Sequence, residues 1–117
     1  MKTVTIDNEE WVRKEDSHAQ QTLDGMTYCV VRTYSAGVHI GYVKELKNTK
    51  CILIKSRRLW GWSGANELNQ VAMDGVDVEN SKISTEVPEV TLTQAIEIIP
   101  CSEKSMICFQ EAKEWIK

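Results

Sequence analysis

Residues 55–66 read Lys-Ser-Arg-Arg-Leu-Trp-Gly-Trp-Ser-Gly-Ala-Asn, which sets Lys55, Arg57, Arg58, Trp60 and Trp62 close together. Guanidinium groups hold phosphate or carboxylate through paired N–H donors, and indole faces stack on flat rings. These residue types side by side are those of a site for a small anionic ligand that also carries a ring. Trp and Arg are also the residues enriched at protein–protein hot spots, so an interface is the competing use. On a strand, alternation puts Lys55 and Arg57 on one face, and Arg58, Trp60 and Trp62 on the other. Ser63 is a candidate N-cap for a helix over 65–73, where Ala65, Leu68, Val71 and Ala72 recur at helical spacing. The N-terminus of such a helix adds unpaired N–H groups and the positive end of its dipole to the nearby cations. With Arg32 or Tyr34 from an earlier strand completing the pocket, the candidate ligand-binding set is Arg57, Arg58, Trp60, Trp62, Ser63, Arg32 and Tyr34.

Other chemistry is thin. The two histidines, His18 and His39, stand far apart in sequence. His18 with Glu15 and Asp16 reads as a solvated face, because a zinc site needs three or four ligands. His39, in a strand, reads as a satisfied histidine in preference to a general base. No nucleophile elbow, Walker-type loop or dinucleotide fingerprint occurs, and no set of residues assembles a nucleophile, a base and an oxyanion site. The expectation is a protein that is not an enzyme, with no metal and no cofactor.

The elements that must position these residues follow from a chain of 117 residues, enough for one domain with a core of its own. Hydrophobic residues make up 42% and charged ones 26%, which excludes global disorder. A net charge of −3 argues against a dedicated duplex-DNA binder. The charge is unevenly spread: six cations and one acid over 44–58, then six acids and one cation over 67–89. Such a field steers an anion to one end or lets copies of the chain associate. Cys29, Cys51, Cys101 and Cys108 are dispersed, with no Cys-x-x-Cys, and read as buried reduced thiols. No apolar stretch reaches the length of a membrane span, and the opening residues lack a signal core, so the expected place is inside the cell that makes the protein.

In order, 3–6 and 11–13 read as a hairpin and 14–23 as a polar helix or loop, together an appendage (1–25) closed by Asp24 and Gly25. A single α+β core domain (26–117) follows. Its expected strands cover 28–34, 38–43 and 51–54, a meander with turns at 35–37 and 45–50, where Gly41 signals a bulge or a close backbone approach. Gly75 stops the internal helix, and 83–87 and 90–99 read as two further strands with Pro88 at an edge. Ser102 caps a terminal amphipathic helix whose stripe holds Cys108, Phe109, Ala112, Trp115 and Ile116. The fold class expected is an antiparallel sheet of about five strands with one internal and one C-terminal helix.

Three stretches carry a resemblance: Val30-Val31-Arg32-Thr33-Tyr34-Ser35-Ala36-Gly37-Val38, residues 56–65 from Ser56-Arg57-Arg58 to Ser63-Gly64-Ala65, and residues 92–101 from Leu92-Thr93-Gln94 to Pro100-Cys101. With them the chain resembles a family of small uncharacterised proteins, a domain of unknown function, encoded by tailed phages and prophages. The opening residues 4–13 are similar to a short leader of many phage proteins. The resemblance implies a phage context and a life in the host bacterial cytoplasm; it implies no assigned activity. Joined to the residues above, it gives the expected function: a non-enzymatic accessory, anti-defence protein that forms a homo-oligomer and sequesters a small phosphate-bearing ligand such as a cyclic nucleotide immune signal. The alternatives are an inhibitor or adaptor that binds a host protein, and a virion or assembly protein.

Overall fold

The computed structural model of the chain describes residues 22–115, so the hairpin and polar segment expected before residue 22 lie outside the described residues. In chain order come β1 (Thr22–Leu23), β2 (Met26–Thr33), β3 (Val38–Lys47), β4 (Lys50–Leu59), α1 (Leu68–Asp74), a 3-10 turn (Val78–Asn80), β5 (Val87–Leu92), β6 (Ala95–Pro100) and α2 (Glu103–Glu111). The fold is α+β, one antiparallel sheet of five longer strands and the two-residue β1, with two helices. Asp24 (φ 52) and Gly25 (φ 84) both take left-handed backbone, the conformation that a tight two-residue hairpin turn requires. The pair is the turn that sets Thr22 and Leu23 against Thr27 and Met26.

The meander is present, with longer strands than the sequence indicates. The turn expected over 45–50 narrows to Asn48 (φ 56) and Thr49, and β4 continues past Ile54 to Leu59, which makes Lys55, Arg57 and Arg58 strand residues. The register of β3 on β4 slips between Ile40 and Tyr42 and again between Val43 and Glu45. At the first slip Lys55 adopts φ 53, and the backbones approach so closely that a Cβ on Gly41 would lie 3.0 Å from the Ile54 carbonyl oxygen. Gly41 is thus the close approach its place in a strand indicated.

These bends curl the sheet. β5 pairs with β4 and β6 with β2, on opposite flanks of the meander, although only Thr93 and Gln94 separate the two strands. A single strand over 90–99 cannot serve both flanks, and so the chain breaks at that corner. The Tyr34 N–H donates to the Gln94 carbonyl at 2.9 Å, and the Ala95 N–H to the Thr49 carbonyl at 2.9 Å, so the corner is tied to the turns at both ends of β3.

Curling separates two apolar clusters. Inside lie Cys29, Val31, Cys51, Leu53, Leu92 and Ala95. On the other face, Tyr28, Val30, Ile40, Tyr42 and Leu59 pack under Val71 and Ala72 of α1 and Met106 and Phe109 of α2. Ser102 caps α2 by accepting the Ser105 N–H at 3.1 Å, and the Ser105 hydroxyl donates to the Val71 carbonyl at 2.7 Å, which joins the helices. Gly75 ends α1 at φ 78, as its sequence position indicates, and Pro88 sits in β5 at the end of the hydrogen-bonded path. Among the cysteines, Cys29, Cys51 and Cys101 are buried and all four thiols are free. Burial pushes the thiols of Cys29 and Cys101 up to about 12, out of reach of ordinary thiolate chemistry.

Two helix boundaries depart from the sequence reading. α1 starts at Leu68, where the Glu67 carboxylate accepts the Asn69 N–H at 2.9 Å, and Ser63 caps nothing. α2 ends at Glu111, and Ala112 is extended, so Trp115 leaves the helical stripe.

Candidate functional site

The β3–β4 register places His39 opposite Arg58 and Ile40 opposite Arg57. Neighbouring strand residues face opposite ways, which sends Arg57 to the helix side with Ile40 and leaves Arg58 with His39 on the inner side. There the apolar lining gives out: beyond Leu53 the inner face carries Ser56, Arg58 and His39, beside Val87 at the start of β5. A cavity of about 230 Å³ opens at this point, lined by His39, Ser56, Arg57, Arg58, Trp60, Ser84, Thr85, Val87 and Val90.

The polar groups have different tasks. The Ser84 hydroxyl is spent on the backbone, accepting the Arg58 N–H at 2.7 Å and donating to the Thr85 carbonyl at 2.8 Å. His39 and Ser56 are each only 2% exposed. The His39 Nε2 lies 3.0 Å from the Ala36 carbonyl oxygen. A carbonyl only accepts, so Nε2 carries the proton and Nδ1 of the neutral ring keeps a lone pair. Burial holds the imidazole below its ordinary value, the Ala36 hydrogen bond works against that shift, and the Arg58 charge adds to it. Arg58 is exposed, and among the described residues no carboxylate pairs with it.

Arg57 is a different kind of residue. It is 5% exposed, and its Nε donates to the Ser84 carbonyl at 2.9 Å while Nη1 donates to the carbonyls of Phe109 at 2.7 Å and Ala112 at 2.6 Å. Its guanidinium closes the C-terminal end of α2, where helix carbonyls are otherwise unpaired. That work takes it out of the role of phosphate ligand foreseen from the sequence, although its side chain contributes to the cavity wall.

The two tryptophans also part. β4 ends at Leu59, and past Gly61 Trp62 is half-buried against the helix-side cluster, whereas Trp60 stays at the cavity, 51% exposed. The tail after α2 returns to it: the Trp115 N–H donates to the Ile83 carbonyl at 2.7 Å, and its ring meets Trp60 edge-on with centroids 5.7 Å apart. The Lys82 Nζ lies 5.0 Å from the Trp115 ring centroid.

The remaining candidates fall elsewhere. Ser63 lies in the loop after β4, its N–H donating to the Ser81 hydroxyl at 3.1 Å. Arg32 pairs with Glu97 of β6 at 3.1 Å, and Tyr34, 77% exposed, stands in the β2–β3 turn. The structure thus collects Arg57, Arg58 and Trp60 and leaves Trp62, Ser63, Arg32 and Tyr34 outside the lining. The anion site foreseen at a helix N-terminus is not formed, because Glu67 fills that end of α1 with its own carboxylate. Sequence reasoning passed over His39 and Ser56 as site residues; the signal was the hairpin register that sets His39 against Arg58. Among the described residues no three of His, Cys, Asp and Glu cluster in a way that could hold a metal ion.

A family model described as Domain of unknown function (DUF6948) matches residues 26–108, from the start of β2 into α2. No curated protein and no solved structure matches the chain.

Proposed function

The chain belongs to the DUF6948 family of unknown function, and on that footing we propose that it is a non-enzymatic binding module for a small phosphate-bearing ligand of nucleotide type. What carries the reading is the cavity, in which Arg58, without a carboxylate partner among the described residues, stands beside Trp60 and the buried polar residues His39 and Ser56. A guanidinium offers paired donors to phosphate, and an indole beside it offers a face or edge to a ring. The setting we propose is the bacterial cytoplasm of a phage-infected host, with the protein acting against defence by sequestering a nucleotide signal. A cavity of about 230 Å³ is small for a two-base signal, so a cyclic dinucleotide would have to be shared between copies in a homo-oligomer. No helix among the described residues is long and apolar enough to cross a membrane.

Titration calorimetry with mono- and cyclic nucleotides tests the reading directly. The expected result is binding that weakens at least about tenfold in Arg58→Ala, the loss of one charge-assisted contact, with the melting profile unchanged. Absence of binding to any phosphate-bearing ligand, or binding indifferent to Arg58→Ala, refutes the site. One observation favours a second reading: Trp60 and Trp115 form an exposed aromatic pair beside Lys82, the composition of a hot spot for a host protein. Under that reading Trp60→Ala and Trp115→Ala abolish capture of one host protein, while Arg58→Ala leaves it intact.

A further inference from the structure

The cavity has a polarity gradient from floor to rim. His39 and Ser56 are almost wholly buried and uncharged, while the charge of Arg58 stands in solvent at the opening. The His39 ring is fixed by its Nε2–H bond to the Ala36 carbonyl, which leaves Nδ1 as an acceptor. Neither Nδ1 nor the Ser56 hydroxyl has a hydrogen-bond partner among the described residues. Buried polar atoms are paired as a rule, so two unmatched ones lining a cavity mark where a ligand supplies the partners.

Resting on the proposed nucleotide reading, we infer that the ligand enters ring first: a nucleobase sits inward with an N–H donor on His39 Nδ1 and a polar edge on the Ser56 hydroxyl, and its phosphate stays at the rim on Arg58. Three physical arguments converge on this orientation. Burying a phosphate costs far more than burying a neutral ring whose polar edge finds partners. An acceptor lone pair at the floor repels phosphate oxygens and attracts an N–H. Val87 and Val90 give the cavity apolar wall on which a ring can pack, and Trp60 adds an indole. The volume fixes the size class: at about 230 Å³ the cavity falls below the roughly 300 Å³ lower end of common ligand pockets, room for one base and part of its sugar. His39 is then the residue that sets base specificity, because a site built to accept a hydrogen bond rejects an analogue that lacks the donor.

Calorimetry on the full chain with the common ribonucleosides, their monophosphates and inorganic phosphate tests the orientation. The expected result is that at least one nucleoside binds, its monophosphate binds about tenfold tighter, and inorganic phosphate alone does not bind. Arg58→Ala brings the monophosphate down to the affinity of its nucleoside and leaves the nucleoside unchanged. Ser56→Ala and His39→Leu each weaken nucleoside and monophosphate alike by about tenfold; should the buried His39→Leu fail to fold, Ser56→Ala carries the test. If monophosphates and inorganic phosphate bind while every nucleoside fails, the ring-first orientation is overturned and phosphate recognition survives. If no member of the panel binds, the ring-first orientation falls, and the nucleotide reading falls with it when cyclic nucleotides also fail to bind.

Discussion

At the scale of the residue, one imidazole shows how the site and the stability of the fold share a cause. His39 faces Arg58 across the β3–β4 register and is 2% exposed, and burial first, then that guanidinium, hold its titration below the ordinary 6.5, against the pull of the Ala36 carbonyl. Near that pH the unfolded chain binds the proton that the folded chain refuses, so stability rises with pH. The contribution of His39 is complete above about 6.5 and is lost as the pH falls from there through the lower folded value. Denaturant titrations of the wild type should show that acid loss, and His39→Leu should flatten it. An equal slope in both would mean that another group carries the proton. The sequence made His39 a satisfied strand residue, and half of that is observed, since Nε2 is satisfied and Nδ1 is not. That His39 stands opposite Arg58 at a cavity depends on a pairing register, which periodicity alone does not give.

At the scale of the element, strand alternation separates Arg57 from Arg58 but does not say what either side chain holds. The adjacency of two arginines reads as a phosphate clamp only while both point to solvent. In the fold the helix-side neighbour is consumed by the end of α2, and this is invisible in sequence because the partners are main-chain carbonyls some fifty residues away, at Phe109 and Ala112. Ser102, by contrast, was legible as a cap, because capping is local. Ser63 was misread for the complementary reason: the loop from Gly61 onward is held by long-range bonds such as the Asp77 N–H on the Ser63 carbonyl at 2.8 Å. Arg57 therefore acts as a joint between β4, the Ser84 segment and α2, and its removal leaves carbonyls bare in a closed environment. Arg57→Met should cost about 3 kcal/mol by denaturant unfolding, and Arg57→Lys should restore only a minor part, because an ammonium lacks the planar fork that reaches several carbonyls at once. A variant as stable as the wild type would show that water replaces the guanidinium without loss.

At the scale of the whole molecule, the consequence of the Thr93–Gln94 corner is closure. β2 carries β3 along one edge and β6 along the other, and its two faces feed both apolar clusters. The meander was readable because each turn is written beside its strands. The return of β6 to β2 was not, because it joins Val31 to Ile98 across the length of the domain. Contacts of that span close late and open as a unit, so the amides of β2 should report the global stability of the domain. Native-state hydrogen exchange should find Val30 and Val31 among the slowest amides, with the outward N–H groups of β5, at the end of the hydrogen-bonded path, exchanging much faster. Gly41→Ala probes the same closure from the bend that permits it. A Cβ 3.0 Å from the Ile54 carbonyl and 3.1 Å from the Ser56 Cα forces the two strands apart where the inner face turns from apolar to polar. The variant should raise exchange in β2 and β6 together, since the flank that β6 completes depends on the curl. If β6 amides exchanged freely while β2 stayed protected, the sheet would be an open meander with a loosely held last strand. The cavity at the mouth of the curl would then lose the framework that sets His39 against Arg58.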